Sequence, residues 1–203
     1  MSLTAGVVAV QGDVAEHAGA IERACARRDR DVEVIEIRDS GLVPDCDLLA
    51  MPGGESTTIS RLIHADGIAP EIREHVDAGK PLFATCAGLI VASRDAADDR
   101  VDELGLLDVT VERNAFGRQR DSFEAPLDVD GLDEPFPAVF IRAPAIDEVG
   151  SADVLASWDG RPVAVRQGPV LATAFHPELT PDDRLHDLAF FGNDRATIES
   201  QTD

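Results

Sequence analysis

Residues 81–92 read PLFATCAGLIVA. Leu82 to Thr85 follow a proline and form a short apolar run with the length of a buried strand, and Ala87 to Ser93 continue as an apolar helical segment. Between them stands Cys86, followed by Ala87 and Gly88, which are small enough for a sharp turn. A strand that breaks into a helix at a nucleophilic side chain has the layout of a nucleophile elbow, here with cysteine in place of serine. Free N–H groups and the helix dipole favour an anion at that point, and the amide after the nucleophile, that of Ala87, is placed to donate to an oxyanion. A lone buried cysteine also fits a purely structural role, and the local sequence leaves both readings open.

Upstream of the elbow, strand and helix patterns alternate. Gly6 to Val10, Val32 to Ile37 and Leu48 to Met51 read as strands. Asp13 to about Arg28, Thr57 to Ala65 and Pro70 to Ala78 read as helices, the first with Ala20, Ile21, Ala24 and Cys25 on one face. This alternation predicts an α/β fold: a three-layer sandwich whose central, mostly parallel sheet carries helices on both faces. Downstream, short strands are predicted at Leu107–Glu112, Phe123–Val129, Ala138–Ile141, Val154–Ser157, Pro162–Arg166 and Val170–Ala174. Turns such as Asp130-Gly131 and Asp159-Gly160 separate them, and they are expected to complete the sheet with antiparallel pairs. Thr180-Pro181 predicts a helix start, with the helix running to about Phe191 and a frayed tail after Gly192. No repeat or linker divides the chain, so residues 1–203 are expected to form one domain.

Two further stretches carry chemistry. In Val170 to Glu178, an apolar run delivers His176 and Glu178 two residues apart, which an extended backbone points to one side; Pro177 favours that form. Glu178 is then placed to orient the imidazole of His176 towards a nucleophile, the role of the third member of a triad. A surface His-Pro turn is the plainer alternative. In Leu49 to Thr58, a strand ends at Pro52-Gly53-Gly54 and a helix begins behind a Ser/Thr-rich cap. Such a loop suits an oxyanion hole or a bound carboxylate, or is a simple strand–helix turn.

These segments, with Val10-Gln11-Gly12-Asp13, Glu16-His17, Val111 to Gln119 and Phe140-Ile141-Arg142-Ala143-Pro144, resemble the triad-type (class I) glutamine amidotransferases. Within them, the chain is similar to the family of glutaminase subunits of pyridoxal 5′-phosphate synthase, over roughly residues 5–190. The resemblance implies hydrolysis of L-glutamine to glutamate and ammonia, through a glutamyl thioester, by Cys86 as nucleophile, His176 as base then acid, and Glu178 as orienter. It implies glutamine contacts from Gly54, Glu55, Ser56, Arg113, Ile141 and Arg142, oxyanion donors from Gly53 or Gly54 and Ala87, and a partner-facing position for Gln11. It further implies that the ammonia passes to a separate synthase subunit, and that free activity stays low until that partner docks. Two alternatives remain at this level: a glutaminase subunit serving imidazole or purine synthesis, and a non-catalytic binding protein on the same fold.

Composition removes other classes. The 203 residues carry 18 Lys+Arg against 39 Asp+Glu, a net charge of −21, which repels nucleic-acid backbones. Only Lys80 is a lysine. The balance resembles that of proteins from salt-accumulating cells and predicts stabilisation by molar salt, which screens self-repulsion. The expected result is a urea midpoint that rises from low to high KCl; an unchanged midpoint refutes it. No apolar run reaches the length of a membrane span and no signal peptide is evident, so a cytoplasmic location is expected. Cys25 is read as core and Cys46 as incidental, while His17, His64, His75 and His186 are read as helical, surface or packed residues. With no Cys-x-x-Cys, no metal-ligand spacing and no Gly-x-Gly-x-x-Gly after the first strand, neither a metal nor a cofactor is expected.

Overall fold

The structure is a computed structural model that describes residues 2–112 and 122–199, with side chains placed as far as residue 192. In the first half β1 (Leu3–Val8), α1 (Val14–Ala26), β2 (Val32–Ile37), β3 (Leu48–Met51), α2 (Ser56–Ala65), α3 (Ile68–Asp77), β4 (Leu82–Thr85) and α4 (Ala87–Ala92) follow one another. The second half contributes β5 (Ser93–Asp95), β6 (Leu107–Glu112), β7 (Ser122–Leu127), β8 (Phe136–Ile141), β9 (Ala145–Val149), β10 (Asp153–Trp158), β11 (Arg161–Gln167), β12 (Val170–Thr173) and α5 (Arg184–Glu199).

Seven strands form the central sheet in the order β10-β11-β12-β4-β3-β1-β2. The five from β12 to β2 are parallel, and β11 and β10 add on antiparallel. Every residue of β3, β4 and β12 is buried, which is why these strands read as unbroken apolar runs: a parallel sheet is covered on both faces. One cover is α1 packed with α5, the other α2 packed with α3 and α4. The face α1 turns inward is Ala20, Ile21, Ala24 and Cys25, with His17 added one turn earlier. The edge strand β2 carries Glu33 and Glu36, charges that discourage pairing with another chain.

The structure departs from expectation in three ways. Only β10, β11 and β12 extend the central sheet; β5, β6 and β9 form a separate three-stranded sheet, and β7 and β8 a hairpin. Alternation of apolar and polar residues marks a strand but does not say which sheet it joins. Thr180-Pro181 does not open the last helix. The Thr180 hydroxyl is held in a turn, donating to Pro177 O (3.1 Å) and accepting from Asp182 N–H (3.2 Å), and α5 starts at Arg184 and runs past Phe191 to Glu199. Cys46 is not incidental: it is fully buried, its thiol donates to Leu42 O, and a β-carbon on Gly6 would lie 2.8 Å from its sulfur. Cys25 is core, as expected.

The topology decides where the chemistry converges. β4 and β12 are adjacent and in register, Thr85 opposite Thr173, and Cys86 N–H donates to Thr173 O (2.8 Å). The segments leaving β1, β3, β4 and β12 therefore meet at one end of the sheet, the carboxyl end at which open α/β folds bind ligands. His176 N–H donates to Val139 O (2.8 Å), and Phe140 packs against Phe175 with centroids 5.4 Å apart. These contacts seat the hairpin over the same end and bring Ile141 and Arg142 to it.

Candidate active site

Cys86 caps α4 with φ +50° and ψ −107°, a backbone geometry L-residues rarely hold. The sharp turn predicted for the elbow is thus present. Gly88 makes it sterically feasible: a β-carbon there would lie 2.2 Å from Met51 O, so α4 passes against the end of β3 with no room for a side chain. The sulfur-bearing residue is 8% exposed, open only towards the cleft.

His176, 6% exposed, follows β12 and places Nδ1 2.6 Å from Glu178 Oε1. Glu178 lies in a short 3-10 turn, Pro177–Leu179, and its side chain is wholly buried. The spacing of two thus brings the pair together, although through a turn rather than the extended backbone expected. Cys86 stands beside the imidazole, both flanking Gly53, close enough to act on its pKa. Burial by itself lowers the imidazole pKa, but the neighbouring Cys86 and the hydrogen bond and charge of Glu178 outweigh it and raise the value to about 10. A thiol, an imidazole and a carboxylate are therefore brought side by side, from parts of the chain 90 residues apart.

Gly53 fits between the first two: a β-carbon on it would lie 2.9 Å from His176 Cε1 and 3.1 Å from Cys86 Cβ. Gln11, at the end of β1, accepts from Glu55 N–H through Oε1 (2.6 Å) and would meet a β-carbon on Gly54 at 2.7 Å. It thereby pins the Gly53-Gly54-Glu55 loop. The cap of α2 is Glu55 rather than a Ser/Thr side chain: its carboxylate accepts from Thr58 N–H (3.0 Å) and from both threonine hydroxyls. A carboxylate suits this position because it completes an exposed helix N-terminus.

A cleft of about 520 Å³ opens above these groups. Of the residues expected at the site, Gln11, Gly54, Glu55, Ser56, Cys86, Ala87, Ile141, Arg142 and His176 line it. Gly53 and Glu178 lie behind the lining, and Arg113 falls outside the described residues. Ser56 belongs to the lining, and its hydroxyl is buried with no hydrogen-bond partner. Sequence reasoning missed Gly12, Asp13, Ile90 and Pro144, which complete the lining. Asp13 Oδ2 stands 3.9 Å from His176 Nδ1; burial, then the charge of Glu178, raise its pKa. Asp13, His176 and Glu178 bring three potential ligand atoms within 4.8 Å of one another, but Nδ1 and Oε1 are engaged with each other, which disfavours a metal there.

A cysteine, a histidine and a glutamate thus meet at the carboxyl end of a three-layer α/β sheet. The chain belongs to the SNO glutamine amidotransferase family, whose model matches residues 7–193. It is 73% identical over 192 residues to the pyridoxal 5′-phosphate synthase subunit PdxT of Haloarcula marismortui, covering 94% of this chain and 98% of that one. It is 72% identical to the PdxT of Halobacterium salinarum, covering 94% and 95%. A solved glutamine amidotransferase at 44% identity superposes with a TM-score of 0.80 over 93% of this chain and 98% of that one. The PurLQS structure of Thermotoga maritima, at 17% identity and TM-score 0.66, covers 100% of both chains and shares the fold. Among the described residues, no helix is long and apolar enough to cross a membrane.

Proposed function

We propose that this chain is the glutaminase subunit of a pyridoxal 5′-phosphate synthase, acting as one glutaminase domain. It hydrolyses the side-chain amide of L-glutamine and passes the ammonia to a separate synthase subunit. The observation that carries the chemistry is the Nδ1–Oε1 contact of 2.6 Å on an imidazole that stands beside Cys86; the similarity to PdxT subunits carries the choice of pathway.

The geometry supports the following sequence. The Cys86 sulfur attacks the amide carbon, its proton having moved to His176. The carbonyl oxygen becomes an oxyanion received by the amides of Ala87 and of Gly53 or Gly54; Glu55 N–H is already held by Gln11. The C–N bond breaks as His176 gives its proton to the leaving nitrogen, releasing ammonia and a glutamyl thioester. Glu178, bonded to Nδ1, stabilises the protonated imidazole until the leaving nitrogen takes the proton. Water then gives a proton to His176 and attacks the thioester, and the returning proton restores the thiol as glutamate leaves. Arg142 and Arg113 suit the glutamine carboxylate, with Gly54, Glu55, Ser56 and Ile141 completing the contacts. The exposed Gln11, Gly54 and Glu55 lie at the cleft mouth, where a partner that steadies this loop would switch on the oxyanion hole. Relatives from Haloarcula and Halobacterium support reading the −21 charge as a salt adaptation and the location as cytoplasmic.

The test is ammonia release from glutamine in molar KCl, with and without the synthase subunit, together with labelling by a glutamine-like diazo ketone. Low activity alone, a rise with the partner and labelling of Cys86 that glutamine blocks are expected. Failure to label Cys86 refutes the chemistry; full activity alone, with no gain from the partner, refutes the coupling.

A further inference from the structure

Behind Glu178 the structure contains a second, wholly buried pair of ionisable side chains that the triad does not use. His17 comes from α1 and His186 from α5, and neither has any exposed surface. His17 Nδ1 lies 3.2 Å from His186 Nε2. His17 Nε2 lies 3.1 Å from the hydroxyl of Thr85, the residue before the nucleophile, and 3.5 Å from Glu178 Oε2. That carboxylate oxygen, opposite the one bound by His176, is buried and has no hydrogen-bond partner; the approach of His17 Nε2 is in ion-pair range.

Two independent observations select the tautomers. His186 Nδ1 is buried with no hydrogen-bond partner. A buried orphan N–H is rarer than a buried orphan acceptor, so Nδ1 is assigned as the bare nitrogen and His186 carries its proton on Nε2. Nε2–H then donates to His17 Nδ1, which obliges a neutral His17 to carry its own proton on Nε2. The second observation is the carboxylate itself: a bare Nε2 facing Glu178 Oε2 at 3.5 Å would set two lone pairs against each other, whereas Nε2–H is attractive. Both lead to the same arrangement. The surroundings keep the pair neutral. His186 sits edge-on to Phe83 at 5.0 Å, and burial lowers both imidazoles to about 3 against the opposing charge of Glu178 on His17.

We propose that His17, fixed as its Nε2–H tautomer by His186, is a positioning residue that shares its N–H between Thr85 and Glu178 Oε2, locking the carboxylate so that Oε1 meets His176. The inference rests on the triad reading above and extends it by two residues, from Cys86 through His176, Glu178 and His17 to His186.

The first measurement uses the intact wild-type chain: nitrogen-15 NMR of the histidine rings in molar KCl. The expected result is a neutral His17 with its proton on Nε2 from about pH 5.5 to 8, given the depressed basicity. A proton on Nδ1, or an imidazolium, overturns the proposal without any variant having to fold. The second compares His17→Leu with His17→Gln in the complex with the synthase subunit. The Gln amide nitrogen reproduces the Nε2 donor; leucine fills the space without one. Loss of an N–H directed at a charged group predicts a fall in kcat of ~10-fold for His17→Leu, with KM for glutamine within about twofold, and recovery in His17→Gln. Equal impairment of the two variants, or wild-type kcat in His17→Leu, overturns it. Failure of the underlying triad reading has a different signature, because wild type itself then releases no ammonia.

Discussion

Replacing Cys86 by glycine abolishes glutamine hydrolysis and yields a more stable protein than replacing it by alanine. Both variants remove the sulfur, so both lose the nucleophile and fall by at least ~10⁴-fold in kcat, the scale on which removal of a covalent nucleophile acts. They differ in the backbone. At φ +50° and ψ −107° an alanine retains the strain that cysteine bears, about 1–3 kcal/mol for a non-glycine residue in a sparsely populated region. Glycine is released from it but loses roughly 0.5–1 kcal/mol to the greater freedom of its unfolded chain. The balance favours glycine by about 1–2 kcal/mol, read as a higher urea midpoint at constant KCl. Equal midpoints would show that the elbow is relaxed and that the turn is not held against its own preference by the surrounding fold. The physical content is that the nucleophile is presented by a distorted turn, kept in place by the buried strand before it and by the Cys86 N–H bond to Thr173 O.

What was legible in the sequence divides along physical lines. β3, β4 and β6 match their expected bounds because continuous or alternating apolar residues there are flanked by prolines, glycines or charges, and both burial and ending are local properties. β9, Ala145–Val149, was not anticipated: Asp147 and Glu148 interrupt it, and it exists as a strand because it pairs with β6, a contact no local pattern encodes. The same limit hid the split of the second half into separate sheets. At the site, Cys86, His176 and Glu178 were readable because a nucleophile, a base and an orienter have few alternatives in residue type. Asp13 was not, since an acidic residue before a helix reads as a cap; here its carboxylate makes no cap hydrogen bond and faces His176 instead. His17 did leave a signal. It falls one helical turn before Ala20 and Ile21, on the apolar face of α1, and a titratable group on a buried face calls for a partner. The partners come from α5, β4 and the turn after β12, so only the assembled fold identifies them.

Gly88→Ala lowers the melting temperature by roughly 6–12 °C, while Gly19→Ala leaves it unchanged or raises it. The contrast isolates what a single methyl meets. At Gly88 the new carbon would stand 2.2 Å from Met51 O, 3.2 Å from Met51 C and 3.2 Å from Pro52 O. All three are backbone atoms at the end of a strand whose residues are fully buried, so they cannot swing aside as a flexible side chain does. Overpacking of this kind costs about 3 kcal/mol, which in a chain of this size corresponds to the stated fall in Tm. At Gly19, inside α1, the nearest atom is the terminal Nη1 of Arg23 at 3.3 Å, which moves readily, and alanine is the better helix former by about 1 kcal/mol. A Gly88→Ala protein within about 2 °C of wild type would mean that α4 does not pass this close to β3. The consequence reaches the chemistry because Met51 and Pro52 lead directly into Gly53, the residue wedged between Cys86 and His176. A helix pushed off β3 moves the nucleophile and its base relative to one another. The surviving folded fraction should therefore show reduced kcat as well as reduced stability, whereas Gly19→Ala, whose new methyl meets only the movable end of Arg23, should turn over glutamine as wild type does.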